Sequence, residues 1–501
     1  MSSEFNVVET TIEEIHTAIR GDELTVQELI TKYRERIDAY DRNGPELNSV
    51  ITVNPNSMER AVELDDIFET DGMVGPLHGI PILVKDQAMT AGIRTTFGSE
   101  IFSEFVPNSD SAIISRLKEA GAIILGKTNL CDWAAGDAGY SSIVGQTKNP
   151  YSLDHDPGGS SAGTGAAIAA NLATVGIGED TGGSIRVPSS CCNLFGIRVT
   201  TGLISRSGLS PLVSRQDTAG PMARTVEDLV RVLDVLVGYD SDDSSTGINK
   251  INKPDSYHSS IDERGLHNAR IGVLRQGFGT DTNPKTKSVN TVIEPKIQSI
   301  AEAGAEIIDP VSISDLQAKL DMTWLYGLQS RSDINSFLTT LENPPVSSLD
   351  EIYKKGAFPD QMELFDMIID GPDDPTSSLE YWKKVEAQEN LRHDILAVLA
   401  EHDLDAIMFP DLKIPPRLHK DLANPQRESD DVADTFLTNT YIASQSICPA
   451  ISMPAGFTDN GLPVGLELMS APHNEQGLLS IAAGYEKITN TRQPSTTFPQ
   501  L

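Results

Sequence analysis

Cations are scarce in this chain. Lys and Arg number 39 against 72 Asp and Glu, a net charge of 39 − 72 = −33 over 501 residues. The acid excess is spread along the chain, and a surface this negative repels phosphate backbones, so no nucleic-acid partner is expected. Cysteine is rare as well. Cys131, Cys191, Cys192 and Cys448 are too few for a disulfide framework, and none has C-x-x-C spacing. The adjacent Cys191 and Cys192 read as buried structural thiols rather than as a nucleophile or metal pair. The nine histidines form no H-x-x-x-H or H-E-x-x-H pair, so neither a metal nor a cofactor is expected. Long apolar runs are missing. The one long uncharged stretch, Ser160 to Gly178, holds four glycines, two serines, two threonines and an asparagine, a poor membrane span. Met1 to Thr10 carries Glu4 and Glu9 and no cationic start before an apolar run, so a secretory signal is not expected. These absences point to a soluble, cytoplasmic, metal-independent protein with no membrane contact.

What is present suffices for a folded core: 39 % hydrophobic and 22 % charged residues are too apolar a mixture for a disordered chain. The negative balance has two readings. One is an ordinary acidic protein kept soluble by its charge. The other is adaptation to molar salt, where screening cuts the range of self-repulsion to about 3 Å.

The N-terminal third alternates helix and strand patterns. Thr11 with Glu14, and Thr25 with Glu28, read as capping boxes that open amphipathic helices. Then follow a strand (Ser49–Val53), a helix (Ser57–Phe68), a strand (Ile80–Val84), a helix (Ala112–Ala120) and a strand (Ala122–Leu125). This alternation predicts an α/β fold, a three-layer α/β/α single domain over 1–501 with a large mixed, mostly parallel sheet. Further helices are expected at Val226–Leu236, Lys285–Ala303, Ser378–Glu401 and Val432–Ser446. Strands are expected at Arg270–Leu274, Glu306–Ile308, Ala406–Phe409 and Ala450–Met453. The polar segment 240–265 reads as an exposed loop. Asn343 to Pro375, with five prolines, reads as irregular, and the wider region 322–438 as a variable substrate-pocket or lid region.

Glycine is concentrated at one place, with eight between Gly158 and Gly183. Gly158-Gly159-Ser160-Ser161-Ala162-Gly163 puts adjacent hydroxyls on a permissive backbone. Further on, Asp180-Thr181-Gly182-Gly183-Ser184-Ile185-Arg186 sets two glycines before a serine, so successive N–H groups can converge as an oxyanion hole requires. A serine nucleophile needs a base. Lys85 stands at the carboxyl end of the apolar run Ile80-Pro81-Ile82-Leu83-Val84, where active sites of open α/β sheets collect. Burial penalises an ammonium, which lets a lysine act as a neutral base. Gly159-Ser160-Ser161-Ala162-Gly163 also satisfies the G-x-S-x-G elbow with Ser161 as nucleophile, with Asp405 and His473 available downstream. That reading leaves the Ser184 loop unexplained. Cys131-Asp132-Trp133 follows a strand and is a candidate pocket wall.

The lysine segment Gly79–Asp86 and the two serine segments, with Ser160 and Ser184 separated by 24 residues, resemble the amidase signature family. The likeness extends through Gly75–Lys85, Glu119–Asn129, Asn149–Ile197 and Asp217–Asp228, with 75–228 as the catalytic core, and resumes near Pro449–Gly456 and Gly461–Leu468. Roughly half of the chain is covered. The resemblance implies Lys85 as base, Ser160 as relay serine held by a cis peptide, and Ser184 as nucleophile. It implies an oxyanion hole from the N–H groups of Thr181, Gly182, Gly183 and Ser184. It further implies a hydrogen bond from Ser161 to the lysine and loop support from Asp180 and Arg186. Ala162, Gln87 and Arg198-Val199-Thr200 depart from the usual pattern without removing a catalytic group. The implied activity is an amidase that hydrolyses a small-molecule carboxylic amide through a Ser184 acyl-enzyme. Two alternatives stand beside it: the glutaminase-type component of a glutamyl- or aspartyl-tRNA amidotransferase, which needs partner subunits, and a catalytically silent binding scaffold. Homodimerisation is left open.

Overall fold

Thr11 and Thr25 each accept a backbone N–H three residues on while Glu14 and Glu28 reach back, so both capping boxes form and start the helices Ile12–Arg20 and Val26–Arg36. The computed structural model describes residues 5–252, 254–356, 358–359, 363–422 and 439–501. Its strands, in chain order, are β1 (Val50–Val53), β2 (Pro81–Lys85), β3 (Ile123–Thr128), β4 (Tyr140–Ser141), β5 (Gly145–Gln146), β6 (Val175–Asp180), β7 (Phe195–Arg198), β8 (Thr218–Ala223), β9 (Arg270–Leu274), β10 (Glu306–Val311), β11 (Ala406–Pro410), β12 (Ala450–Phe457) and β13 (Pro463–Met469). Strands β4 and β5 make a small separate ribbon. The other eleven form one sheet in the order β1-β3-β2-β6-β8-β7-β12-β13-β11-β9-β10.

Every residue of β2, β3, β6, β7, β8 and β11 is buried, so the centre of the sheet is covered on both faces. That is the expected α/β/α arrangement on one continuous mixed sheet. Parallel pairing lies in two blocks, β3-β2-β6 and β11-β9-β10. Between them the run β6-β8-β7-β12-β13-β11 is antiparallel throughout. The mostly parallel expectation thus describes the two blocks. The connections β7 to β8 and β12 to β13 have no crossover helix and produce antiparallel neighbours instead.

The two chain ends meet. Buried Arg36 donates to the carbonyls of Asn171 (2.8 Å), Ala170 (3.0 Å), Phe498 (3.1 Å) and Pro499 (2.7 Å). Four acceptors satisfy a guanidinium that burial would otherwise leave costly.

Helix and strand positions follow the sequence pattern to within a few residues. Val226–Leu236 is a helix as expected, and its cap Thr225 accepts from Asp228 N. Two segments differ. Asn343 to Pro375 contains the helices Leu349–Lys355 and Glu363–Ile369, short enough for the flanking prolines to hide them. Segment 240–265 holds the short helical turns Ser244–Ile248, Asn249–Asn252 and His258–Ser260 and is anchored rather than freely exposed. Asp243 pairs with Arg206, Asp240 accepts from Ser205 Oγ at 2.5 Å, and Asp234 accepts from Tyr257 N at 2.6 Å. Within the expected helix Val432–Ser446, Thr440–Ser446 is helical, and 432–438 lie outside the described residues.

Candidate active site

Parallel register sets the site. Val84 lies beside Ile177 and Lys85 beside Thr128, so the carboxyl ends of β2, β3 and β6 come together. Lys85 closes β2 and is 1 % exposed. Its Nζ donates to Ser160 Oγ (2.9 Å), to the Glu179 carbonyl (3.1 Å) and to Glu179 Oε2 (3.2 Å). Three acceptors around Nζ use every hydrogen of an ammonium; a neutral amine would keep two and turn its lone pair on one neighbour.

Ser160 follows a cis peptide with Gly159. A Cβ on Gly159 would lie 2.8 Å from the backbone of Asp137 and Ala138, so only glycine fits there. Ser161 heads the helix Ala162–Ala169. Its N–H donates to the Ser184 carbonyl at 3.2 Å, which ties the first serine segment to the second. Its hydroxyl does not bond Lys85 as expected. Ser161 Oγ donates to the Glu179 carbonyl (3.1 Å) and accepts from Glu179 N (3.2 Å), which uses its hydrogen on the backbone of β6. Ser161 and Lys85 thus share one carbonyl.

The loop after β6 carries Ser184, which is partly exposed among buried neighbours. Among the described residues the N–H groups of Thr181, Gly182 and Ser184 have no protein acceptor, as an anion-binding turn requires. Gly183 differs from the expected four-donor set: its N–H donates to Asp180 Oδ1 at 2.9 Å. Gly183 sits at φ 131°, and a side chain there would collide with Thr440. Tyr326 and Tyr441 crowd Gly182 in the same way.

Asp180 and Arg186 are tied to the loop by hydrogen bonds, and Arg198 joins them. The Asp180 carboxylate takes Gly183 N, Ile185 N (3.2 Å), Arg186 Nε (3.1 Å) and Arg198 Nη1 (2.9 Å). Burial opposes its charge, but the two guanidiniums and these hydrogen bonds hold the carboxyl well below the usual range. Arg186 also reaches Glu467 Oε1 (2.5 Å) and Ser444 Oγ (2.8 Å). Arg198, noted in the sequence only as a departure from a pattern, is therefore a structural cation of the site.

Cys131, Asp132 and Trp133 are all buried, and their contacts are with the protein. Cys131 Sγ donates to the Gly136 carbonyl at 3.3 Å, and burial pushes its thiol up. Asp132 accepts from Ser142 N (2.8 Å) and Ser142 Oγ (2.5 Å). Trp133 stacks on Phe97 at 5.0 Å with Phe102 edge-on. Their packing partners are Gly136, Ser142, Phe97 and Phe102. Aromatic rings nearer the loop are Trp324, Tyr326 and Tyr441, mutually in contact.

Sequence reasoning missed Glu179. Its carboxylate lies beside Lys85 on one side. On the other, Thr181 Oγ1 contacts Glu179 Oε1 (3.2 Å) and donates to Asp217 Oδ1 (2.6 Å). Burial raises Glu179 to about 7; Lys85 opposes this, and Asp217 and Asp180 add to it. A run of acidic residues in a sequence reads as solvated surface, and nothing in the spacing from 85 to 179 reveals that β2 and β6 are neighbours. No group of three or more His, Cys, Asp or Glu suited to a metal occurs among the described residues. No helix among them is long and apolar enough to cross a membrane.

Residues 28–479 match the family model described as Amidase. The chain belongs to the amidase family. It is 32 % identical over 500 residues to a glutamyl-tRNA(Gln) amidotransferase chain of Alkalilimnicola ehrlichii, covering 96 % of this chain and 98 % of that one. Among solved structures, the native peptide amidase of Stenotrophomonas maltophilia superposes with a TM-score of 0.85 at 31 % identity, over 98 % of this chain and 99 % of that chain. An amidase family protein of Bacillus anthracis gives 0.84 at 29 %, over 98 % and 93 %. Family membership makes the chain an enzyme of amide C–N bonds. The exclusion of nucleic acid expected from charge finds no support here, since one relative is named for a tRNA.

Proposed function

We propose that this amidase cleaves a carboxylic amide to acid and ammonia or amine through an acyl-enzyme on Ser184. The observation that carries the reading is the 2.9 Å contact of buried Lys85 Nζ with Ser160 Oγ, next to the loop of Ser184. Neutral Lys85 takes the Ser160 proton as Ser160 takes the proton of Ser184, and Ser184 Oγ attacks the amide carbon. The N–H groups of Thr181, Gly182 and Ser184 receive the oxyanion; one such donor is typically worth about 3 kcal/mol in the transition state. Ser160 then protonates the leaving nitrogen, and water, deprotonated along the same path, releases the acid. Residues 75–228 supply these groups. Trp324 and Tyr326, the rings of the variable region nearest the loop, are the place for acyl-group selection. Small-molecule amides are the first substrates to test, C-terminal peptide amides among them because of the likeness to a peptide amidase.

The test is Ser184→Ala with a panel of aliphatic, aromatic and peptide amides, read as ammonia release. Turnover is expected to vanish with the circular dichroism unchanged; wild-type rates would refute the reading. The amidotransferase reading is favoured by the similarity to a glutamyl-tRNA(Gln) amidotransferase chain over nearly the whole length. It predicts release of ammonia from glutamine and co-purification with a different polypeptide.

A further inference from the structure

The reading of Lys85 as the base leaves Glu179 unused, and this inference rests on that reading. Glu179 is 2 % exposed. One carboxylate oxygen lies 3.2 Å from Lys85 Nζ and the other 3.2 Å from Thr181 Oγ1. We propose that Glu179 is the counter-charge of the base: its carboxylate stabilises the ammonium that Lys85 becomes as Ser184 attacks. Glu179 touches no substrate; it acts through Lys85 and is a positioning residue.

During attack one proton moves from Ser184 Oγ to Ser160 Oγ, and one from Ser160 Oγ to Lys85 Nζ. The result is an oxyanion and a buried ammonium; no proton leaves the site. An isolated buried ammonium is costly, whereas one paired with a carboxylate and fully hydrogen-bonded is not. Ser160 Oγ and the Glu179 carbonyl take two of its hydrogens, and Glu179 Oε2 takes the third. A buried carboxylate that orients a catalytic base and stabilises its protonated form is the role of the aspartate in a Ser-His-Asp triad, met here on a lysine.

The surroundings decide when Glu179 carries its charge. Lys85 faces it from β2 and Asp217 from the loop before β8. Its chain neighbour Asp180 is neutralised by Arg186 and by Arg198 of β7. Asp217 accepts Leu212 N (2.9 Å), Val213 N (3.1 Å) and the Thr181 hydroxyl, which offset only in part the burial that raises its carboxyl. Burial is the main reason that Glu179 sits at about 7; Lys85 opposes it, and the neighbouring carboxylates of Asp217 and Asp180 add to it. Below that value it takes up a proton and the counter-charge is lost. Glu179 also lines a cavity of about 520 Å³ bounded by Gln87, Arg206, Asp217, Asp333 and Phe337, which gives small solutes a route to it. Arg206 there is tied to Asp243.

The experiment is the pH profile of kcat/KM for wild type and Glu179→Gln, on whichever amide is turned over. Glutamine keeps the shape and removes the charge. Two changes are expected together. The acid limb moves to lower pH by one unit or more, roughly the effect of removing an opposite charge at hydrogen-bond distance. The high-pH limit falls about tenfold or more, because a base without its counter-charge is weaker. A structural role alone would lower the rate and leave the limb in place, and an unmoved limb overturns the inference. If the Gln variant is insoluble, Glu179→Ala carries the test: added formate must restore rate saturably and return the limb to higher pH, and no effect of formate overturns it. Wild type is labelled in parallel with a fluorophosphonate. Adduct on Ser184 with an unmoved limb sinks only the role of Glu179; absence of adduct on Ser184 sinks the hydrolase reading beneath it.

Discussion

Two buried lysines stand at the carboxyl ends of neighbouring parallel strands, Lys85 last in β2 and Lys127 one before the last in β3, and each has a carboxylate at 3.2 Å: Lys85 with Glu179, and Lys127 with Asp86. By composition and burial the pairs are alike. Their third partners separate them. Lys127 Nζ spends its other hydrogens on the Ala88 carbonyl (2.5 Å) and Thr95 Oγ1 (3.2 Å). Asp86 is held by Thr96 N (2.8 Å) and Thr96 Oγ1 (2.5 Å). Each polar partner there is a fixed part of the fold. Lys85 instead points at a serine hydroxyl beside a partly exposed second serine, and Glu179 borders a cavity. A buried ion pair is thus a strut or a proton device according to whether one neighbour can exchange a proton with something that arrives.

That contrast can be broken first at the nucleophile and the two lysines. Ser184→Ala should remove at least ~10³-fold of turnover, since triad members act as a unit. Lys85→Met should cost activity on a similar scale near neutral pH and, because Glu179 at about 7 can take up a proton once its partner is lost, leave a folded protein. Lys127→Met should do the reverse. It strands buried Asp86, costs about 3–5 kcal/mol of stability in urea unfolding, and leaves the folded fraction active. Equal activity losses in the two lysine variants would erase the distinction drawn here.

Much of this was legible in the sequence, and the reason is local. Lys85 ends a continuous apolar run. The serines stand in glycine segments whose backbone demands no other residue satisfies, as at Gly159 and Gly183. Glu179, Arg198 and Asp217 were not legible, because their roles come from strand neighbours far apart in sequence. The packing of Trp133 on Phe97 and Phe102 was likewise not legible, because those rings come from an earlier segment of the chain. Antiparallel pairing across the sheet centre was hidden by the helix–strand alternation at both ends.

Asp180 sharpens the comparison with a third buried arrangement. Its carboxyl lies below the ordinary value near 3.8, so its stabilising contribution is complete above that value and is lost as pH falls below it. Asp180→Asn should therefore be less stable than wild type by about 3 kcal/mol at pH 7, with the gap narrowing only in strong acid. A gap that closes between pH 7 and pH 5 would contradict the assignment. Smaller and more diffuse is the effect of salt. If the net charge of −33 reflects a molar-salt habitat, the midpoint of thermal unfolding should fall on dilution to roughly 50 mM salt, where screening is weak. An unchanged midpoint would leave the ordinary acidic reading.

The most direct test is mass spectrometry of the protein after exposure to a fluorophosphonate. The account predicts a single adduct on the peptide containing Ser184 in wild type and in Lys127→Met, and its loss in Lys85→Met. An adduct on Ser160 or Ser161 instead, or undiminished labelling of Ser184 in Lys85→Met, would contradict it.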